Sequence, residues 1–415
     1  MDNLFDEALT RLSRPGLTNP ASAALDDTLA RGLHAVREHL GLEVAFISEF
    51  AEGRRVFRQV DDTHTPPLLR VDGSDPLEES YCQRVVDGRL PELMQDARRH
   101  PEALTLPVTL ALPVGAHLSV PIRLSDGRVY GTLCCFSTRP DLSLTPRDLA
   151  TMRVFAELVS DQIDREARHQ RTQAEVFGRL DLALQPGGMH TDYQPIVNIA
   201  QRRVVGFEAL TRFDCAPSRS PDLWFNEANG VARGCELELR AIALALAGLG
   251  ELPEPLYIAV NASPNTVLDP RLASLLAAHP LRRIVLEVTE HEEVAHYEDI
   301  ARVVTPLRAA GLRVAVDDAG AGYACFRHIL NLAPDIIKLD VSITRGIDAD
   351  PSRQALAVAL RHFASATQGR LVAEGVETER EMAMLTRLGI TLTQGYLLGR
   401  PQSLAQALET ARLLH

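Results

Sequence analysis

The chain has 415 residues, too many for one ordinary hydrophobic core, and divides most naturally into two domains. Its apolar fraction of 46% and charged fraction of 24% are those of a water-soluble globular protein, and no apolar run approaches the length that spans a bilayer. A formal net charge of -12 argues against a general nucleic-acid or membrane-surface binder, which needs a basic face, but not against a small phosphate ligand in a locally cationic cleft.

The first sixteen residues lack the basic start and apolar stretch of a signal peptide. The six cysteines are scattered, with no CxxC pair. Together these features predict a reduced, cytoplasmic setting with no membrane partner.

Residues 21–168 read as a mixed α+β unit. Helical spacing of apolar residues over 23–41 ends at Gly41. Residues 42–50 alternate like a strand, with 54–60 as a hairpin partner. A short helix is predicted over 80–88, and strands over 116–124 and 128–137 with Ser125-Asp126-Gly127 as their turn. A long amphipathic helix starts at Thr145, read as its cap. Residues 169–188 read as the tail of that helix and a linker broken by Pro186-Gly187-Gly188.

From residue 189 to 415 the pattern becomes strand then helix, repeated. Strands are predicted over 193–199, 203–213, 256–263, 283–290, 313–320, 335–343, 370–377 and 392–399. Eight strands in this alternation predict an α/β fold of the (β/α)8 TIM-like barrel type. The turn joining the first two strands is too short for a crossover helix, so that pair is expected to be antiparallel.

In such a barrel the working residues sit where strands end. Nearly every strand here carries an ionisable or amide side chain at that end: Glu208, Asn261, Glu287, Asp317 with Asp318, Lys338, Glu374 with Glu377, and Gln394. Parity along the strands pairs Ala259 with Asn261, Val285 with Glu287, Ala315 with Asp317, Ile336 with Lys338 and Val372 with Glu374. The earlier member of each pair is expected to fill the barrel and the later one to point into its mouth. Carboxylates so gathered repel one another unless neutralised, and two divalent cations would do so. An all-oxygen donor set suits Mg2+ or Mn2+. Asp317 would bridge, with Glu208, Asn261 and Glu287 on one side and Asp318 and Glu374 on the other. On the residues alone, a metal-assisted hydrolase stands beside a lyase or aldolase on the same barrel.

The ordered motifs decide between them. They are Tyr193-Gln194-Pro195-Ile196-Val197, Glu208-Ala209-Leu210-Thr211-Arg212, Val260-Asn261-Ala262-Ser263, Glu287-Val288-Thr289-Glu290, Asp317-Asp318, Ile337-Lys338-Leu339-Asp340, Glu374-Gly375-Val376-Glu377 and Gln394-Gly395-Tyr396. This set resembles the EAL family of cyclic di-GMP phosphodiesterases over roughly 190–410. The resemblance implies hydrolysis of cyclic di-GMP to linear pGpG with two divalent cations, Mg2+ or Mn2+, in a homodimer; the alternative is a cyclic di-GMP receptor without catalysis. It implies that Glu208, Asn261, Glu287 and Asp317 hold one metal, and Asp317, Asp318 and Glu374 the second. Lys338 would contact the attacking water, Glu377 would position Lys338 or substrate, and Gln394 would lie near the metal-bound water. Arg212 and Gln194 would contact phosphate and guanine, and Glu290 would brace the loop after the fifth strand. That loop departs from the family pattern: Ala319 stands where an aromatic residue is common.

Residues 21–168 resemble a GAF domain, through Ser80-Tyr81-Cys82-Gln83 and Tyr130-Gly131-Thr132-Leu133. The domain order implies a sensory or regulatory role with an unidentified small ligand, or none. Cys82, Cys134, Cys135 and His117 are read mainly as packed core residues, with redox, chromophore or haem chemistry as the competing reading.

Overall fold

The structure is a computed structural model that describes residues 20–289, 297–319 and 329–413, apart from the side chains of 20–27 and 318. It resolves into two units, residues 1–173 and 174–415. Among the described residues no helix is long and apolar enough to cross a membrane.

The first unit is built on a six-stranded antiparallel sheet in the order β3-β2-β1-β6-β5-β4. The strands are β1 (Val44–Ala51), β2 (Arg54–Asp62), β3 (Ser74–Pro76), β4 (Leu93–Met94), β5 (Ala116–Arg123) and β6 (Val129–Ser137). Alternation gives the sheet two apolar faces. Ala45, Ile47, Leu118, Val120, Leu133 and Cys135 pack under Leu33, Val36, Met152 and Val159 of the helices Pro20–Leu40 and Pro146–Leu184. Val44, Phe46, Phe57, Cys134 and Phe136 face Tyr81, Cys82 and Val85 of the helix Tyr81–Val86. Gly41 takes a φ of +66°, which lets the first helix stop and turn into β1. Ser80 caps the helix Tyr81–Val86 by accepting the backbone N–H of Gln83.

The cap at Thr145 works in the opposite sense to the sequence reading. The Asp148 carboxylate accepts both the Thr145 N–H at 2.7 Å and its hydroxyl at 2.8 Å. The helix then runs on to Leu184, through most of the segment read as a linker. Its last turns carry Val176, Leu180 and Ala183, which pack with Met189, Trp224 and Leu237 of the second unit's own core.

The second unit is a closed barrel in the order β10-β11-β12-β13-β14-β7-β8-β9. Its strands are β7 (Met189–Asn198), β8 (Arg203–Phe213), β9 (Tyr257–Ala262), β10 (Ile284–Val288), β11 (Arg313–Ala319), β12 (Ile336–Leu339), β13 (Arg370–Ala373) and β14 (Leu392–Thr393). β7 runs antiparallel to both β8 and β14; the other pairs are parallel. Ile196, Tyr257, Ala259, Val285, Ala315, Ile336, Val372 and Leu392 fill the barrel. All five earlier members of the parity pairs, Ala259, Val285, Ala315, Ile336 and Val372, are among them. The opposite strand faces, with Ile258, Val260, Leu286, Val316, Ile337 and Ala373, bury themselves against the surrounding helices.

Three strands are shorter than their apolar patterns. β12 stops at Leu339 because Asp340 accepts the Ser342 N–H and caps a short helix, Val341–Thr344. β13 ends at Ala373 and β14 at Thr393, which leaves Glu374 and Gln394 on the first loop residue beyond each strand.

Candidate active site

Lys338 is the last inward-facing residue of β12, and the barrel brings the carboxylates of four other strands to it. Its Nζ lies 2.5 Å from Glu374, 2.8 Å from Glu287, 3.3 Å from Asp317 and 3.5 Å from Glu208. Lys338 and Glu287 are each 1% exposed, so this ammonium has almost no water and depends on the carboxylates for solvation.

Two amides complete the ring. Asn261 Nδ2 donates to Glu208 Oε1 at 3.1 Å, and Gln394 Nε2 donates to Glu208 Oε2 at 2.5 Å. Gln394 Nε2 also reaches Gln194 Oε1 at 3.0 Å, while Gln194 Nε2 donates to the Gly399 carbonyl at 3.1 Å. Gln394 Oε1 is buried without a hydrogen-bond partner among the described residues.

The charges are unevenly distributed. Burial acts to lower the Lys338 pKa, but Asp317, Glu208, Glu287 and Glu374 outweigh it and hold the group well above the usual lysine range. Burial pushes Glu287 well above the usual carboxylate range, with Glu208 and Asp317 adding repulsion that Lys338 only partly offsets. Glu374 is raised to about 8, first by burial and then by Asp317 and Glu208. Glu208 goes the other way: burial would raise it, but Lys338, Gln394 and Asn261 together keep it low. Without a cation in the site, Lys338 is therefore an ammonium donor.

Two further residues singled out in the sequence hold partners of their own. Glu377 lines the same cavity as Lys338 and accepts Arg345 Nη2 at 2.5 Å. Arg212 donates from Nε to Asp192 at 2.9 Å and from Nη1 to the Thr211 carbonyl at 3.2 Å. The side chain of Asp318 and all of Glu290 lie outside the described residues. Ala319 is fully buried in the layer between barrel and helices, and its carbonyl accepts the Asp340 N–H at 3.3 Å.

Two cavities open at this end of the barrel. One, of about 420 Å³, is lined by Gln194, Glu208, Asp317, Lys338, Glu374 and Gln394, with Arg345 and Tyr396 toward its rim. The other, of about 670 Å³, is lined by Leu210, Arg212, Phe225, Asn226, Asn229 and Asn261, among others. The Glu208–Asn261 hydrogen bond joins the wall of one to the wall of the other. Tyr396 entered the sequence reading only as part of a motif, with no role, and Arg345 escaped it. Arg345 ends a helix that the apolar pattern presents as strand, and nothing local marks it.

The donor set fits a hard divalent cation. It is all oxygen and gathers four carboxylates around Lys338, of which Glu208, Asp317 and Glu374 line the cavity; among the described residues no donor satisfies the buried Gln394 oxygen. Among the described residues no three His, Cys, Asp or Glu side chains already form a cation cage. Lys338 holds the carboxylates that a cation would need.

The EAL domain model matches residues 178–401, just over half of the chain. The chain belongs to the EAL domain family. A GAF domain model matches residues 22–164, ahead of the EAL domain.

An uncharacterized signaling protein of Caulobacter vibrioides is 30% identical over 341 residues, 78% of this chain and 41% of the relative. The probable cyclic di-GMP phosphodiesterase PdeA of Escherichia coli is 34% identical over 152 residues, 35% of this chain and 21% of the relative. The chain thus spans well under half the length of these curated relatives. Among solved structures, the PaMucR phosphodiesterase in complex with c-di-GMP is 26% identical with a TM-score of 0.51. The match covers 56% of this chain and all of that one.

Proposed function

We propose that this protein hydrolyses cyclic di-GMP to linear pGpG, using two divalent cations, Mg2+ or Mn2+, in the EAL barrel. The observation that carries the reading is the convergence of Glu208, Glu287, Asp317 and Glu374 on Lys338 at the mouth of the barrel. Membership of the EAL family and the likeness to phosphodiesterases of that family support the substrate.

Glu208, Asn261, Glu287, Asp317, Asp318 and Glu374 are the proposed ligands. When bound, the cations supply an activated water and Lewis-acid stabilisation of the phosphate oxygens. The rest is the work of the chain's own side chains. Gln394 holds Glu208 in its ionised form through its amide nitrogen. Lys338, at the centre of the carboxylates, is placed to contact the reacting phosphate or its attacking water. Arg345, held at the rim by Glu377, offers a guanidinium to a second phosphate. The larger cavity, with Phe225 and three asparagines, suits a purine base that stacks on one face and hydrogen-bonds at its edge.

A second reading has one observation in its favour. Lys338 itself ties the carboxylates together through ion pairs, an arrangement that would also serve a receptor that binds but does not cleave. Incubation of the protein with cyclic di-GMP and Mg2+ or Mn2+, followed by chromatography, separates the two. The proposal predicts pGpG, abolished by EDTA. Tight binding by calorimetry with no product under either ion assigns the receptor reading instead.

A further inference from the structure

The GAF unit buries a group of side chains that phosphodiester hydrolysis does not use. Cys82, on the helix Tyr81–Val86, and Cys134, on β6, are fully buried free thiols. Their sulfurs lie 3.4 Å apart. That is contact between unbonded sulfurs; a disulfide closes to about 2.05 Å, so the pair is one short approach from bonding.

The surroundings differ from those of a packed cysteine. Arg55, itself 4% exposed, donates from Nη1 to Cys82 Sγ at 3.1 Å. Its other nitrogens hold Asp75 at 3.0 and 2.5 Å. The Asp75 side chain is 34% exposed, so the guanidinium runs from the solvent edge of the sheet to the thiol. On the other side, Ser119 Oγ lies 3.0 Å from Cys134 Sγ, and Cys134 donates to Thr132 Oγ1 at 3.2 Å. His117, two residues from Ser119 on the same face of β5, is buried with Nδ1 unpartnered and rests on the Tyr81 ring at 4.7 Å.

A buried cation in contact with a sulfur favours the thiolate. Burial pushes the Cys82 thiol up, but Cys134, Arg55 and Thr132 outweigh it and draw the group down to about 6. Cys134 is held well above the ordinary thiol range by burial and by Cys82. One sulfur is therefore prepared as nucleophile and its neighbour is kept protonated. Cys135, on the opposite face, donates instead to the Met152 sulfur at 3.6 Å, and burial pushes its thiol up.

We propose that Cys82 and Cys134 form a dithiol site oxidised by hydroperoxides, with Cys82 as the attacking sulfur and Cys134 as the resolving one. In the first step Cys82 sulfur attacks one peroxide oxygen. The S–O bond forms, the O–O bond breaks, and the departing oxygen takes up the proton that Cys82 has lost. Cys82 is then a sulfenic acid, oxidised by two electrons, and the peroxide is reduced to alcohol or water. In the second step Cys134 sulfur attacks the sulfenic sulfur. The S–S bond forms, the S–O bond breaks, and hydroxide leaves as water with the Cys134 proton. Closure pulls the helix Tyr81–Val86 toward β6 and removes the sulfur partner of Arg55.

The test uses the full chain and hydrogen peroxide. After exposure, alkylation in denaturant and peptide mass spectrometry should show Cys82 joined to Cys134, lighter by two hydrogens and restored by dithiothreitol, with Cys135 still alkylated. Cys134→Ser, treated with peroxide and dimedone, should carry the sulfenic adduct on Cys82; Cys82→Ser should carry none on residue 134. Circular dichroism establishes that each variant is folded. The proposal is overturned if Cys82 and Cys134 stay alkylatable while Cys215 or Cys235 oxidises, or if Cys134→Ser takes no dimedone at Cys82.

Discussion

At the scale of single residues the structure turns on one buried ammonium. Lys338 sits where four carboxylates converge, and each of them lies within 3.5 Å of it. Removing one partner of a buried ion cluster costs about 3–5 kcal/mol, because uncompensated charge is left behind. Lys338→Met should therefore destabilise the metal-free protein by about that amount in urea unfolding. Mg2+ should recover more stability in this variant than in the wild type, since the cation then meets carboxylates with no competing ammonium. Gln394 offers a milder probe. Its amide fixes Glu208 through a 2.5 Å hydrogen bond, and loss of such a supporting group typically costs 10–100-fold in metal affinity or activity. Gln394→Ala should lose turnover on that scale while its thermal unfolding barely changes.

At the scale of elements, most of the barrel could be read from parity alone. Alternation is a local property, so Ala259, Val285, Ala315, Ile336 and Val372 announced themselves as interior and their neighbours two residues on as mouth residues. What parity does not contain is where a strand ends or which distant side chains meet. Asp340 ends β12 by capping a helix, and that removed Arg345 from the sequence reading. The Arg345–Glu377 pair joins two loops 32 residues apart, and no local pattern foreshadows it. The far end of the helix Pro146–Leu184 behaves similarly: its packing on Trp224 depends on residues tens of positions away. Leu180 is fully buried there, so Leu180→Ala should cost about 2–5 kcal/mol in urea unfolding.

Glu227 ties the same helix to its neighbour Pro221–Gly230, accepting Arg219 at 2.6 and 2.7 Å and Arg179 at 3.1 Å. Arg219 chiefly, then Arg179 against the opposing effect of burial, hold its pKa at about 2, below the reference 4.5. A carboxylate with a depressed folded pKa contributes stability above its unfolded value and loses it as pH falls through the folded one. Glu227→Gln should therefore be less stable than the wild type at pH 7. The two unfolding curves should converge between about pH 4.5 and 2, and a difference that persists below that window would contradict the assignment.

At the scale of the molecule, the chain is two folded units with separate cores, residues 1–173 and 174–415, crossed by one continuous helix. The domain order, a GAF unit ahead of an EAL unit, was legible because each brings its own alternation and motifs. The acidic cluster itself was legible as a list of residues. Its convergence on Lys338 was not, since that depends on five strand ends meeting in space. Separate cores predict separate melting. Calorimetry of the metal-free protein should show two transitions, and Mn2+ should raise only the one that belongs to residues 174–415, by the mass-action stabilisation of a ligand that binds the folded state.

The central claim is that the carboxylates around Lys338 hold the metal that cleaves a cyclic dinucleotide. Single-turnover hydrolysis of cyclic di-GMP in Mn2+, comparing the wild type with Glu208→Gln, tests it most directly. The substitution removes the one carboxylate held ionised by two amides and keeps the shape of the side chain. The account predicts pGpG from the wild type and a loss of at least about 100-fold in the variant, the upper end of what a weakened metal site shows. Equal rates in the two proteins would contradict it.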